Sequence, residues 1–144
     1  MNTTAIMTRD VAVVSPTVTV GAAIHMMDRL RIRHLPVVEG RRLAGILSDR
    51  DLLKHGNGVA CGRVMTVAPV TCSPEASVGR VAQLMLEHKI DSIPIVSADG
   101  MLTGLVTSTD LLGLLVDREQ AKILPFQYRL RVAQSESEAL AVGA

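Results

Sequence analysis

The chain has 144 residues, a formal net charge of +1, 48% apolar residues and 1% aromatic ones. That length suits one domain with a real core, and so small a net charge excludes an overall pull toward nucleic acid or an anionic membrane surface. With Phe126 and Tyr128 the only aromatics, base stacking is nearly excluded too, and the core must be built from Val, Leu, Ile, Met and Ala.

The charge is unevenly spread. Residues 1–58 carry eight Lys/Arg and five Asp/Glu, a net +3, whereas residues 64–116 carry two and five, a net −3. Cys61 and Cys72 have no metal or redox spacing and read as buried thiols of a reducing compartment. No apolar run approaches about 18 residues, and the N-terminus lacks a charged-then-apolar signal. The expectation is a cytoplasmic protein with no membrane span.

In chain order, Val11 to Val14 reads as a short strand, stopped by Ser15-Pro16, because proline removes a donor and restricts the residue before it. Val20, Ala23, Ile24, Met27 and Leu30 lie on one stripe of a helix, with Thr19 as N-cap. His34 to Val38 is a second strand, Glu39-Gly40-Arg41-Arg42 a turn, and Leu43 to Leu47 the return strand. The stretch Gly45-Ile46-Leu47-Ser48-Asp49-Arg50-Asp51-Leu52-Leu53 then turns from strand into helix. Lys54 to Arg63, with Gly56, Gly58 and Gly62, reads as a flexible linker.

The same pattern follows again. Ile6-Met7-Thr8 matches Val64-Met65-Thr66 at an offset of 58, and Ser15-Pro16 matches Ser73-Pro74. Val78, Val81, Ala82 and Met85 repeat the helical stripe, with Ser77 as cap. Ile32 to Val38 matches Ile90 to Val96. After a turn at Ala98-Asp99-Gly100, a strong hairpin signal, Gly104 to Leu112 matches Gly45 to Leu53 at offset 59. A fixed internal period is the first thing to recognise. Each unit is strand, helix, strand, strand, helix, an α+β plan, with repeats at 1–58 and 59–116 and an extension at 117–144. One such unit has a small core, so two are expected to pack sheet to sheet about a pseudo-twofold axis. Past Leu115, Asp117 to Lys122 extends a helix, Pro125 breaks it, and Ser135 to Ala144 reads as a frayed tail. Ile123, Leu124, Phe126 and Tyr128 form a cluster suited to anchoring on a partner, a dimer mate or the module itself.

Both copies of the strand-to-helix corner place a hydroxyl residue (Ser48, Thr107) three positions before a carboxylate (Asp51, Asp110). Spacing alone supports two readings. Ser/Thr-x-x-Asp before an apolar run is close to a capping box. The same carboxylate could accept two vicinal ribose hydroxyls while the free N–H groups of the helix start attract phosphate. No Ser/His/Asp order, Gly-Lys-Ser/Thr loop or Gly-x-Gly-x-x-Gly run is present. Neither catalytic residues nor a histidine pair with metal-ligand spacing is assigned.

The layout Met-Thr, Ser-Pro, Ile-x-x-Leu/Ile-Pro-Val/Ile-Val and Gly-aliphatic-aliphatic-Ser/Thr-x-x-Asp-Leu-Leu resembles the CBS domain, named after cystathionine beta-synthase. Here it stands as a tandem pair, a Bateman module, over roughly residues 5–116. The resemblance implies a stand-alone, non-enzymatic regulatory module that needs no cofactor. It implies an adenosine-containing ligand of the AMP, ADP or ATP type, with S-adenosylmethionine or NAD as further candidates. It also implies a homodimer acting on an effector protein. By that analogy one site gathers Arg33, His34, Ser48, Arg50 and Asp51, closed by Thr66 and Thr71. The other gathers Asp91, Ser92, Thr107, Thr109 and Asp110, closed by Thr8, Val11 and Val13. Arg33 and Arg50 suit phosphate, whereas Asp91 opposes it, so the first site is expected to bind the nucleotide more tightly. The alternative is a ligand-free scaffold dimer in which both corners are only caps.

Overall fold

In the computed structural model the described residues are 1–120 and 131–141. They form two compact units that do not follow the repeat boundaries. Ala12–Pro69 groups with 131–141, and Met1–Val11 groups with 70–120. We call these the first-repeat unit and the second-repeat unit.

The first-repeat unit contains β1 (Ala12–Val14), α1 (Val20–Leu30), β2 (His34–Glu39), β3 (Arg42–Ser48), α2 (Asp49–Leu52), α3 (Cys61–Val64) and β4 (Thr66–Val67). To the second-repeat unit belong a 3-10 turn at Thr3–Ala5, α4 (Val78–His88), β5 (Ser92–Val96), β6 (Leu102–Thr107) and α5 (Ser108–Gln120). The chain then returns to the first-repeat unit with β7 (Arg131–Ala133) and α6 (Glu136–Ala141).

The caps read from the sequence are made. Thr19 and Ser77 accept from the N–H groups of Ala22 and Arg80, filling one orphan donor at each helix start. Both helices end without glycine. Arg31 and Lys89 take the left-handed conformation (φ 54° and 53°), closing the helix end as a C-cap does. The hairpin turns use Gly40 and Gly100 at positive φ, where glycine carries no Cβ penalty.

The first-repeat sheet has the order β4-β3-β2-β1-β7. Here β2 and β3 pair antiparallel with His34 opposite Ser48, and β1 pairs parallel with both β2 and β7. Among the described residues of the second-repeat unit only the β5–β6 hairpin is a regular ladder, with Ser92 opposite Thr107. Isolated bridges flank it, Thr8 to Leu105 and Cys72 to Ile95. Strand order is therefore the same, but the outer strands have shrunk to single bridges. Pro69 supplies no donor at the start of that outer segment. Among the described residues it also has no counterpart of β7 to hold its far edge.

Each unit has an aliphatic core. Val14, Val20, Met26, Leu35, Leu47 and Leu52 fill one, and Ile6, Val81, Met85, Ile93, Ile95 and Val106 the other. Both cysteines are buried and unpaired, as their spacing suggested.

Two sequence expectations are corrected. Residues 57–62 are stitched down rather than free. Gly21 and Val20 donate to the carbonyls of Asn57 and Val59, and Cys61 and Gly62 donate to those of Val18 and Pro16. Gly62 serves close approach, since a Cβ there would come 2.8 Å from Cβ of Pro16. The tail is not frayed over 135–141 either. Glu138 and Ala139 donate to the side chain and carbonyl of Ser135, so α6 is capped, and Ala139 is buried against the first-repeat core. Ile123, Leu124, Pro125, Phe126 and Tyr128 lie outside the described residues.

Candidate functional site

The two corners share a scaffold. In the first, β3 delivers Ser48 opposite His34, and the N–H of Asp49 donates to the carbonyl of Arg33 at 3.0 Å. In the second, β6 delivers Thr107 opposite Ser92, and the N–H of Ser108 donates to the carbonyl of Asp91 at 2.9 Å. Each helix start is thus pinned to the turn that precedes the neighbouring strand. That brings Arg33, His34, Ser48, Arg50 and Asp51 together in one unit, and Asp91, Ser92, Thr107, Thr109 and Asp110 in the other.

Their hydrogen bonding differs. Ser48 Oγ accepts from the N–H of Asp51 at 3.2 Å, so the hydroxyl caps α2. The Asp51 side chain is half-buried and has no hydrogen-bond or ion-pair partner among the described residues. At the second corner the carboxylate does the capping. Asp110 Oδ2 accepts from the N–H of Thr107 at 2.7 Å and from its hydroxyl at 3.2 Å. Burial pushes the Asp110 carboxyl above its ordinary pKa, while the Thr107 backbone and hydroxyl bonds pull it back down. The capping box suggested by spacing is therefore realised as opposite halves: hydroxyl to backbone at the first corner, carboxylate to backbone at the second.

The remaining assigned residues divide by unit. Thr66 pairs with Ile46 on the strand that leads into the first corner. Thr8 exchanges two backbone hydrogen bonds with Leu105, at 2.8 and 2.9 Å, on the strand that leads into the second. Val11 shares the second corner's unit, whereas Thr71 belongs to the second-repeat unit and Val13 to the first-repeat unit. Val11 and Val13 are fully buried, Thr71 is exposed and Ser92 is buried.

A groove of about 500 Å³ opens on the first-repeat unit, lined by Ile24, Met27, Arg31, Arg33, Asp49 and Leu53 among others. Arg33 lies on this groove, but Ser48 and Asp51 do not line it. Asp49 and Arg31 were passed over in the sequence. Asp49 accepts from the N–H of Arg50 at 2.9 Å and anchors the Arg33 carbonyl. Arg31 gave no signal, because a left-handed arginine cap has no compositional marker.

Among the described residues there is no cluster of His, Cys, Asp and Glu able to hold a metal ion, and no helix is long and apolar enough to cross a membrane.

The model of the CBS domain matches residues 4–58 and 61–117. The chain belongs to the CBS-domain family and carries two copies in tandem. It is 39% identical over 104 residues to inosine-5'-monophosphate dehydrogenase of Korarchaeum cryptofilum, covering 72% of this chain and 22% of that enzyme. It is 34% identical over 111 residues to the CBS domain-containing protein YhcV of Bacillus subtilis, covering 73% of this chain and 79% of YhcV. The chain thus spans less than a quarter of the dehydrogenase, and no catalytic activity follows from that match. Among solved structures, CBSX2 in complex with AMP superposes with a TM-score of 0.76 at 26% identity, covering 82% of this chain and 98% of CBSX2. The cytosolic domain of the Mg2+ channel MgtE in complex with ATP gives 0.69 at 28% identity, covering 76% and 46%. These matches establish the mixed α+β fold and a Bateman-type pair.

Proposed function

We propose that the chain is a non-enzymatic, cytoplasmic regulatory module that binds an adenine nucleotide of the AMP, ADP or ATP type and signals to an effector protein through dimer conformation. The observation that carries this reading is the state of Asp51. A half-buried carboxylate beside a helix start already capped by Ser48 is available for two ribose hydroxyls, and Arg50 and Arg33 of the same unit supply cations suited to phosphate. The complexes of CBSX2 with AMP and of MgtE with ATP support the ligand class. Asp110 is engaged with Thr107 and stands beside Asp91, so the second corner is the weaker binder or takes a less charged adenosine compound such as S-adenosylmethionine. Calorimetric titration of the intact protein with AMP, ADP and ATP tests the reading. It predicts saturable heat with at least one of the three, and no heat with any of them would end it.

Exposed leucines support the homodimer. The last leucine of each Asp-Leu-Leu run faces solvent, Leu53 at 76% and Leu112 at 62% exposure. On α5, Leu112, Leu115 and Val116 form an i, i+3, i+4 stripe on the outside, while Leu111 and Leu114 pack on the core. Apolar surface of this kind marks an interaction face. It also favours a second reading, a scaffold dimer without ligand, which the same titration separates.

A further inference from the structure

Resting on the reading that the chain acts on an effector protein, we propose that residues 131–141 are a releasable arm, and that the β1 edge beneath it is where an extended segment of that effector adds as a strand. The repeat plan is complete without the arm. The CBS matches end at residue 117. Among the described residues the second repeat keeps its β5–β6 hairpin although the strand equivalent to β1 is reduced to one bridge, from Cys72 to Ile95. What the arm covers is a strand edge. Strand β7 pairs in parallel with β1, and the N–H of Ser15 donates to the Ala133 carbonyl at 3.2 Å. Such an edge is a template for any chain that supplies the same backbone groups.

The arm is held lightly. Its buried described side chains are Ala133 and Ala139, which remove little apolar surface from water, and α6 packs on α1 with only six residues. Against that stands the entropy of ordering the whole segment. The start of α6 is also self-contained. The N–H of Glu138 donates to Ser135 Oγ at 3.3 Å, and the N–H of Gln134 donates to the Glu138 carboxylate at 2.7 Å, so these bonds travel with the arm when it lifts. From the body, the Thr19 hydroxyl donates to the Glu136 carboxylate at 3.3 Å, at an exposed position. Ala12–Pro69 carries eight Lys/Arg and four Asp/Glu, the arm one and two, so charge favours an acidic occupant. The partner segment is therefore a short strand of small and β-branched residues followed by an acidic turn of helix, competing with residues 131–141 for the same edge.

Residue-resolved hydrogen exchange on the intact protein, together with binding of a fluorescein-labelled peptide of residues 131–141, tests this. An arm released in about 1–10% of molecules predicts protection of only about 10- to 100-fold for the Ser15 amide, while amides of the β2–β3 ladder stay protected well beyond that. In the remaining molecules the arm fills the site, so the wild type should bind the peptide about 10- to 100-fold more weakly than a variant whose arm is detached. Ala139→Glu puts a charge at the buried anchor and is that variant. Glu136→Lys, at an exposed position, breaks only the Thr19 bond and should give a smaller gain in the same direction. A Ser15 amide that exchanges no faster than the β2–β3 ladder overturns the releasable arm. Equal peptide affinity in the wild type and both variants, or no binding by any of the three, overturns the strand-addition site. Neither readout involves nucleotide or an effector, so failure here removes the docking site and leaves the regulatory reading to the titration above.

Discussion

The sulfur of Met7 occupies the space that a Cβ on Gly104 would need, 2.6 Å from it, and the sulfur of Met65 stands in the same relation to Gly45 at 2.7 Å. The Met-Thr pair that opens one repeat is thus laid across the glycine that heads the corner of the other, twice in one chain. Overpacking at such a point costs about 1–3 kcal/mol. The two sites should differ. At Gly45 the nearest atom is the Thr66 carbonyl at 2.6 Å, whereas at Gly104 it is a flexible methionine, with the Thr8 carbonyl at 3.0 Å. Gly45→Ala should therefore lower the melting temperature more than Gly104→Ala. Met7→Ala should recover part of the Gly104→Ala loss, because contacting residues are coupled. Thermal melts of the three variants and the double variant check this.

The two aspartates should separate in a stability assay. Asp110→Ala removes the acceptor for the Thr107 N–H and hydroxyl, a capping loss of about 1–2 kcal/mol. Asp51→Ala removes no bond seen among the described residues and should change stability by less than about 0.5 kcal/mol. Ser48→Ala, which loses the α2 cap, should cost about 1 kcal/mol. Urea unfolding midpoints measured without nucleotide decide the ordering.

The raised pKa of Asp110 gives a pH dependence of definite sign. Its folded carboxyl binds a proton more readily than the unfolded one, because burial penalises the charge. The stability linked to that proton is fully present below the unfolded value, about 3.9. It is lost as pH rises through the higher folded value. The stability difference between wild type and Asp110→Asn should therefore shift in favour of the wild type as pH is lowered through that window. A difference independent of pH there would show that the Thr107 bonds cancel the burial effect.

Both thiols should resist modification until the chain unfolds. Burial raises the Cys61 pKa to about 11, so almost no thiolate exists near neutral pH. Cys72 is also pushed up by burial, with Arg80 opposing the shift. Thiol titration with a chromogenic disulfide should be slow in the native state and stoichiometric for two thiols in denaturant.

Removal of the chain after Gln120 should destabilise the first-repeat unit. Strand β7 pairs Ala12, Val13 and Val14 with Arg131, Val132 and Ala133, and α6 packs against α1. Loss of those ladder bonds and of buried Ala133 and Ala139 is worth about 2 kcal/mol or more. It also opens β1 as an edge. Reduced solubility and a lower melting temperature are the expected readouts.

What was legible came from local signals. The repeat, the alternation of strand and helix, the Thr19 and Ser77 caps and the Asp99-Gly100 turn all follow from neighbours in sequence, and all are present. What was not legible depends on distant partners. Nothing in Met7-Thr8 says that its strand partner is Leu105, nor in Arg131 to Ala133 that it completes the sheet at β1. The site shows the same division. The corner residues and their strand partners were readable from the duplicated motif. Which half of each capping box forms was not, because Ser48 and Thr107, and likewise Asp51 and Asp110, carry the same groups at the same spacing, yet the bonds they make differ.

The central claim is that the first corner holds the nucleotide through a carboxylate the fold leaves available. Calorimetric titration of wild type, Asp51→Ala and Asp110→Ala with ATP and AMP tests it most directly. Loss of hydrogen bonds to a charged acceptor is worth about 1.5–3 kcal/mol. The account therefore predicts that Asp51→Ala weakens binding about 10- to 100-fold, with a clearly smaller change for Asp110→Ala. Equal losses from the two variants, or a larger loss from Asp110→Ala, would contradict it.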